Sequence, residues 1–457
     1  MKLVTVILAA GQGTRMRSGK PKVLHTLAAK PMVEHVLDTA ARLSDEPPVV
    51  VYGHGGEQMQ KALMHRSVRW AHQAEQRGTG HAVMQALPAL EQADTVLILY
   101  GDVPLLDATT LQRLIARADD TALALLTVKL PDPTGYGRIV RDTHGAIVRI
   151  VEHKDATAEE RGIDEINTGI MVVQGDALRR WLPLLTTNNA QGEYYLTDII
   201  ALAVADGVAV GAEHPADPVE VTGVNDRTQL AELERHFQMR QVRALMAAGV
   251  GFRDPARFDL RGSLSCGRDV VFDVNVIVEG SVTIGDDVRI GPNTYIRDAN
   301  IASGTEIAPN CVIEEATIGG ASRIGPFARI RPGTVLADDV HIGNFVEIKN
   351  SNIGHASKVN HLSYVGDSEV GADVNVGAGT ITCNYDGANK HKTIIQDNVH
   401  IGSDTQLVAP VTVGRGATIA AGTTVMRDVN PDTLVLNTKQ QREIRQWQRP
   451  QKAPKKD

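Results

Sequence analysis

The sequence predicts two unlike halves, an α/β half with a mainly parallel sheet followed by an all-β half wound as a parallel β-helix. Three observations carry that reading. Up to about residue 225, short apolar runs alternate with stretches of helical period. From about residue 255, an aliphatic residue returns at every sixth position, usually with glycine behind it. Between the two, Leu230, Leu233, Phe237, Val242 and Leu245 recur at the spacing of one amphipathic helix. The expected organisation is an N-terminal domain over residues 1–226, a helical linker over 227–250, and a C-terminal domain with its tail over 251–457.

In the first half, Leu3–Ala10, Pro48–Tyr52 and Thr95–Leu99 are continuous apolar runs of strand length, as strands covered on both faces are. Met32–Leu43 and Thr109–Ala118 carry one apolar face at helical period. Strand alternating with helix implies a mainly parallel sheet covered by helices. The opening run behind Lys2 has some features of a signal peptide. It is short, however, and Gly13, Arg15, Arg17, Lys20 and Lys22 follow at once, so a buried strand feeding a loop accounts for it better. No other apolar stretch approaches the ~20 residues that cross a bilayer.

In the second half the aliphatic positions form four runs. They are Ile284, Ile290 and Ile296; then Ile318, Ile324, Ile330, Leu336, Ile342 and Ile348; then Ile353, Val359 and Val365; and last Ile401, Leu407, Val413, Ile419 and Val425. A period of six matches neither a helix nor a simple strand alternation. It matches a coil of three flat faces, with the aliphatic side chain inside and glycine or a small polar residue turning the corner. At about 18 residues per coil the segment makes roughly eight or nine coils. The polar stretch Thr382–Asn398 breaks the count and reads as a loop extruded from the solenoid, a place that often carries binding residues.

Composition narrows the function classes. A chain of 457 residues is too long for one ordinary core, and 42% hydrophobic with 22% charged residues is a soluble globular balance. Only 4% of residues are aromatic and the net charge is −7, which argues against a nucleic-acid partner. Cys266, Cys311 and Cys383 form neither a disulfide framework nor a zinc spacing, and they suit a reducing cytoplasm.

The phosphate-binding candidate is Leu8-Ala9-Ala10-Gly11-Gln12-Gly13-Thr14-Arg15-Met16, with Pro21-Lys22-Val23-Leu24 beyond it. Glycines after a strand let backbone N–H groups approach phosphate oxygens, and Arg15 and Lys22 add mobile positive charge. A dinucleotide fingerprint would need glycine where Met16 stands. A Walker A loop fails too, because Gly13 lies one residue too far from Gly19-Lys20 and Pro21 has no hydroxyl for magnesium. Asp102 follows a buried strand, at the carboxyl end where α/β sheets bind ligands, although a lone aspartate there is as readily a turn cap.

With this loop the chain resembles the sugar-phosphate nucleotidyltransferases. Its second half narrows the likeness to the bacterial bifunctional N-acetylglucosamine-1-phosphate uridylyltransferase/glucosamine-1-phosphate acetyltransferases. Supporting strings are Gln73-Ala74-Glu75-Gln76-Arg77-Gly78-Thr79-Gly80-His81-Ala82, Tyr100-Gly101-Asp102-Val103-Pro104, Gly135-Tyr136-Gly137-Arg138, Glu165-Ile166-Asn167-Thr168-Gly169 and Gly223-Val224-Asn225. The resemblance runs to about residue 438. It implies a Rossmann-like nucleotidyltransferase (pyrophosphorylase) domain and an acetyltransferase domain built as a left-handed β-helix of hexapeptide repeats. The hand comes from the resemblance, since crossover connections are generally right-handed.

By the same resemblance, Leu8, Ala9, Ala10, Gly11, Arg15 and Lys22 belong to the nucleotide site, and Gln73, Gly78 and Thr79 hold uracil. Tyr100, Gly101 and Asp102 sit at the ribose and metal; Gly137, Glu152 and Asn167 hold the N-acetylglucosamine moiety; and Asp102 and Asn225 coordinate Mg²⁺. The implied product is UDP-N-acetylglucosamine, a precursor for peptidoglycan and lipopolysaccharide. It is made from glucosamine 1-phosphate and acetyl-CoA, then from N-acetylglucosamine 1-phosphate and UTP. A cytoplasmic homotrimer with acetyltransferase sites at subunit boundaries is implied as well.

Acetyl transfer to a sugar amine needs a base, because an ammonium group has no lone pair to attack a thioester. His361 in Val359-Asn360-His361-Leu362-Ser363-Tyr364 is the candidate, since imidazole titrates near neutrality. A lone histidine is more often structural; the surrounding string, which resembles the family's catalytic segment, favours the base. Arg331, Lys349 and Lys390 match the family's sugar-phosphate cations, Tyr364, Asn375, Asn384 and Tyr385 complete the sugar pocket, and Ser403 and Ala421 lie along the coenzyme A groove. The family often has an arginine at the position of Thr438; Lys439 or Arg442 is the candidate substitute. Two rival readings are a glucose-1-phosphate nucleotidyltransferase with a regulatory β-helix, and a non-catalytic trimerising scaffold. The string around His361 and the insertion with Asn384-Tyr385 argue against both.

Overall fold

The computed structural model describes residues 2–53, 55–438 and 440–450. The chain divides into two units, Met1–Gln241 and Val242–Asp457. In the first, the apolar run behind Lys2 forms β1 (Leu3–Leu8), buried at every position. Its side chains alternate between two cores, with Val4, Val6 and Leu8 on one face of the sheet and Leu3 and Ile7 on the other. In chain order there follow β2 (Val49–Tyr52), β3 (Arg69–His72), β4 (Thr95–Tyr100), β5 (Leu123–Lys129), β6 (Arg138–Arg141), β7 (Ile147–Val151), β8 (Glu165–Gln174) and β9 (Gly211–Glu213). The sheet order is β9-β5-β8-β4-β1-β2-β3, with β6 paired to β8 and β7.

The stretch β4-β1-β2-β3 is parallel throughout. β8 runs antiparallel to both β4 and β5. Between β5 and β8 the chain makes the hairpin β6–β7 and a single helical turn, Ala158–Arg161, in place of a crossover helix. The parallel neighbours β1 and β2 are instead joined through the helix α1 (Met32–Ala41), and α2 (Thr79–Ala86) carries the chain from β3 across to β4. The next helix, α3 (Ala108–Thr121), starts where Asp107 accepts a hydrogen bond from the Thr109 N–H and stops at Ala122 in the left-handed region. It therefore runs three residues past the expected end.

The helix expected as a linker is α4 (Arg227–Ala247). Leu233 is buried with Leu27, Met32, Leu105 and Val224, and Leu230 and Phe237 pack on that cluster, all in the first unit. Val242 and Leu245 belong to the core of the second unit.

In the second unit the hexad aliphatics fill the interior as expected: Ile284, Ile290, Ile296, Ile318, Ile324, Ile330, Ile342 and Ile348 are all buried. Among the described residues one face carries eleven short parallel strands, from Gly251–Phe252 to Leu434–Val435, more coils than the sequence suggested. One of these strands follows Val425, and two precede Ile284. In the stretch before Ile284, Phe252, Phe258 and Phe272, with ring centroids 4.9–5.4 Å apart, stand among the aliphatics. Most coils repeat at 17 or 18 residues, as in Ile290↔Ile307 and Phe272↔Ile290.

The corners are turned differently from expectation. Asp287, Asn293, Asp339 and Asp404 sit there with φ of +57° to +58°, a conformation Asp and Asn tolerate. Of the glycines that follow the aliphatics, Gly325 has a left-handed φ (+98°), whereas Gly285, Gly291, Gly343, Gly366, Gly402 and Gly414 do not. These serve close approach instead: a Cβ on Gly285 would lie 2.6 Å from Ser303 N, and one on Gly291 2.8 Å from Pro309 N, both in the next coil.

Candidate active sites

The order β4-β1-β2-β3 means that the chain leaves β1 in one direction and returns on its other side at β4. Such a switch point opens a crevice at the carboxyl ends of the strands. A cavity of about 330 Å³ lies there, lined by Leu8, Ala9, Ala10, Gly11, Lys22, Gln73, Gly78, Thr79, Tyr100 and Asp102 among others. A larger hollow of about 850 Å³ opens at the amino ends of the strands, near Lys2 and Asp94, and contains none of the expected site residues.

Each wall of the cavity has a local cause. A Cβ on Gly11 would meet nothing within 4 Å, so the space beside this backbone is open. Gly13 has φ +62°, and a Cβ there would lie 2.6 Å from Lys22 Cβ; glycine is what lets the lysine stem pass. Gly78 has φ +104° and would press a Cβ to 2.5 Å from Tyr194 O; it introduces α2, whose first residue, Thr79, accepts from Leu196 N at 3.2 Å. Gln73 is buried and donates to Gly78 O at 3.2 Å. Gly101, between the lining residues Tyr100 and Asp102, donates its N–H to Leu8 O at 2.9 Å. Gln76 lines the cavity as well, donating to Ala10 O at 2.6 Å, as does Glu193. Neither was assigned a role from sequence, although Gln76 lies inside one of the quoted strings. Arg15 is exposed on the turn Thr14–Met16 and is not part of the cavity wall.

Lys22 Nζ forms an ion pair with Asp102 Oδ2 and donates to Asn225 Oδ1 at 3.1 Å. A cation of the chain's own thus sits between the two hard-oxygen donors expected to hold Mg²⁺. One carboxylate and one amide suit an ion that keeps waters and borrows phosphate oxygens, and the donor set fits. No cluster of three or more His, Cys, Asp or Glu suited to a metal occurs among the described residues.

Gly137, Glu152 and Asn167 come together beside this cavity. Asn167 N–H donates to Gly137 O at 2.8 Å, and a Cβ on Gly137 would lie 3.3 Å from Glu152 Oε1. Burial pushes the Glu152 carboxyl above its ordinary range, helped by Asp155 and Asp198 and opposed by the Thr197 hydroxyl, which donates to it at 3.2 Å. Burial also raises the Tyr100 phenol, followed by the charges of Asp102 and Glu152, so its hydroxyl keeps its proton. Gly169, at φ +83°, leaves room for that ring: a Cβ would lie 2.6 Å from Tyr100 Cε2.

The second cluster lies on the β-helix. His361 ends the strand Lys358–His361 and is exposed. Its Nδ1–H donates to Asn344 Oδ1, 2.8 Å away on the preceding coil. That bond fixes the tautomer and leaves the Nε2 lone pair free to accept a proton. Asn344 was missed by the sequence reading. Backbone bonds from Leu362 N to Asn344 O, Gly379 N to His361 O, Asp404 N to Ala378 O and Gly422 N to Ser403 O define one column along the coils. Asn344, His361, Ala378, Ser403 and Ala421 are therefore stacked one above another. Beyond the histidine the column is small residues only, and Ser403 and Ala421 are exposed.

On the adjoining face Arg331 and Lys349 share another column, with Gly366 next. Gly366 has no Cβ because the Tyr364 hydroxyl occupies that place. Arg331 pairs with Glu347 at 2.7 Å, and Lys349 Nζ lies 3.9 Å from Asp367 Oδ2. The insertion makes this coil 25 residues long, as Val376↔Ile401 shows, and brings Asn384 to Asp367 Oδ2 at 2.5 Å and to Tyr364 Oη at 3.4 Å. Lys390, fully exposed, is pushed below the ordinary lysine value by its hydrogen bonding with Lys349 and then by that residue's charge. Tyr385 is 61% exposed at the insertion's rim. Asn375 pairs with Lys358 and His400 on the face of His361 rather than joining the cationic column. Thr438 and Arg442 are exposed, and Lys439 lies outside the described residues.

Known proteins match both units. Residues 5–159 match the MobA-like NTP transferase domain, 261–353 the GMPPB C-terminal domain, and 392–427 the bacterial transferase hexapeptide (six repeats). The coils are accordingly those of the left-handed hexapeptide β-helix. The bifunctional protein GlmU of Methylococcus capsulatus is 59% identical over 456 residues, covering 100% of this chain and 99% of that protein. The protein of the same name from Stutzerimonas stutzeri is 57% identical over 452 residues (99% and 100%), and that of Pseudomonas putida 55% over 455 residues (100% of each). Identity at this level across both units leaves one assignment: the chain belongs to the GlmU family of bifunctional proteins, a nucleotidyltransferase and a hexapeptide transferase in one polypeptide.

Proposed function

We propose that the first cluster transfers uridylyl and the second transfers acetyl, so that the chain makes UDP-N-acetylglucosamine from glucosamine 1-phosphate, acetyl-CoA and UTP. The carrying observation is that each unit holds its own cluster: Lys22, Asp102 and Asn225 at the switch point of the sheet, and His361, Arg331 and Lys349 on the coils. The division of labour follows the domains 1–226 and 251–457.

In acetyl transfer, the glucosamine nitrogen attacks the thioester carbon, the C–S bond breaks, and coenzyme A leaves as a thiol. His361 Nε2 takes the proton that the amine must lose. Arg331, Lys349 and Lys390 hold the sugar phosphate; Tyr364, Asn375, Asn384 and Tyr385 shape the sugar pocket; and the small column through Ser403 and Ala421 leaves space for the coenzyme. In uridylyl transfer, a phosphate oxygen of N-acetylglucosamine 1-phosphate attacks the α-phosphate of UTP and pyrophosphate departs. Lys22 and Arg15 offset charge on the phosphoryl oxygens, Gln73, Gly78 and Thr79 receive uracil, and Gly137, Glu152 and Asn167 receive the acetylated sugar. Asp102 and Asn225 would hold Mg²⁺, which would supply further charge stabilisation.

No helix is long and apolar enough to cross a membrane among the described residues. From the family likeness we assign the protein to the cytoplasm and to a homotrimer. The test is product analysis with glucosamine 1-phosphate, acetyl-CoA, UTP and Mg²⁺ together. Release of thiol and pyrophosphate with appearance of UDP-N-acetylglucosamine is expected; absence of either release removes that half of the reading.

A further inference from the structure

Lys22 does not point into open solvent. Its ammonium occupies the point where Asp102 Oδ2 and Asn225 Oδ1 converge, and the side chains of Lys22 and Asp102 are only 13% and 17% exposed. Asp102 is the one acid with which it forms an ion pair among the described residues. The stem reaches this point because Gly13 gives way to it, while the backbone is anchored by the buried side chains of Val23 and Leu24 on the same turn. The base is thus fixed, and the four-carbon stem is the part that can move. The space beside Gly11 is open and within the same cavity, so an anion bound there would offer the ammonium a second partner.

We propose that Lys22 and the divalent cation are alternative occupants of one seat, so that the metal reaches Asp102 and Asn225 only as Lys22 moves onto the phosphates of the incoming nucleotide. The inference rests on the reading of this cavity as the metal-dependent uridylyl-transfer site. Its physical basis is simple. A lysine ammonium and a divalent ion within hydrogen-bonding distance of the same carboxylate repel each other in a site partly shielded from water. A flexible four-carbon stem lets the lysine yield where a shorter or more rigid cation would not. Without nucleotide, Lys22 satisfies Asp102 and keeps stray divalent ions out. With nucleotide, one positive charge moves to the phosphates and the seat opens, which couples metal entry to substrate entry.

The test is a titration of the full-length protein with Mn²⁺ alone, following the spin-resonance signal of the free ion with no nucleotide present. Lys22→Met keeps the stem and removes the charge, and it should bind Mn²⁺ at least about tenfold more tightly than wild type, about 1.4 kcal/mol. Lys22→Gln, run alongside in case the methionine variant is poorly folded, should move in the same direction. Mn²⁺ should raise the melting temperature of either variant more than that of wild type. Adding Asp102→Asn to Lys22→Met should abolish the gain. Equal affinity in wild type and both variants, or a gain that survives Asp102→Asn, overturns the competition. Undiminished uridylyl transfer by wild type in excess chelator would overturn the metal reading itself, and the competition with it.

Discussion

Removing the amide that faces His361 tests the second site more finely than removing the histidine. Asn344 Oδ1 accepts from His361 Nδ1 at 2.8 Å, across adjacent coils. Asn344→Ala leaves the imidazole in place but frees it to rotate and to carry its proton on either nitrogen. His361 is exposed, so water replaces the lost acceptor, and the loss is that of one ordinary hydrogen bond, about 0.5–1.5 kcal/mol. That corresponds to a fall in kcat of about 2- to 13-fold, well short of the about 10² to 10⁴ expected for His361→Ala. Asn344→Asp should act differently. A carboxylate opposite Nδ1–H favours imidazolium, so the acid limb of the kcat–pH profile should shift upward. Activity lost at neutral pH should then return on raising pH, as part of the His361→Ala loss also should, because the substrate amine deprotonates by itself. Thiol release measured across pH for the three variants decides the matter. Wild-type kcat in Asn344→Ala together with an unmoved limb in Asn344→Asp would refute the role given to this pair, and near-wild-type kcat in His361→Ala would return the histidine to a structural part.

Three further outcomes are expected. Asp102→Ala should lower uridylyl transfer by about a hundredfold or more and leave acetyl transfer unchanged, as separate assays of pyrophosphate and thiol release will show. Glu152→Gln should stabilise the fold at neutral pH while weakening use of N-acetylglucosamine 1-phosphate. The buried carboxyl has a raised folded-state value, so stability is full below its unfolded value of about 4.3 and is lost as pH rises through the folded one. The gain in melting temperature from Gln should therefore vanish on acidification. A fragment ending at Arg227 should keep uridylyl transfer yet be less stable to urea than one ending at Gln241. The shorter piece loses Leu233, with Leu230 and Phe237 beside it, at about 1.5–3 kcal/mol for each fully buried apolar side chain.

Much of this was legible before any coordinates. The hexads were visible because the coil interior accepts one aliphatic side chain per face, and nothing else produces a period of six. The amino end of the β-helix was less plain, because Phe252, Phe258 and Phe272 stand among its aliphatics. The reversal of β8 was hidden for another reason: an apolar run says that a strand is buried but not which way it runs. The glycines were recognised, yet their purpose is contact between coils; the corners fall to Asp and Asn. At the sites, the strings located the cavity walls, whereas Asn344 belongs to no string. One clue was available, since it precedes His361 by one coil length of 17 residues. The pairing of Lys22 with Asp102 joins positions 80 residues apart and needed the β1–β4 neighbourhood to appear.

The column Asn344, His361, Ala378, Ser403 and Ala421 also measures length. Parallel rungs are spaced at about 4.8 Å, so the three steps from His361 to Ala421 span roughly 14 Å in whole-number increments. A molecule stretched along it is gauged by counting coils, much as a vernier reads by its divisions. Insertion of one more coil between His361 and Ser403 would keep every side chain on its face and every interior position filled. It would nevertheless carry the histidine one division away from a thioester anchored at the far end, more than the distance over which a proton passes directly between hydrogen-bonded atoms. In such a scaffold the reach of the donor arm is quantised, and the repeat that makes the fold tolerant of added turns makes the chemistry intolerant of them.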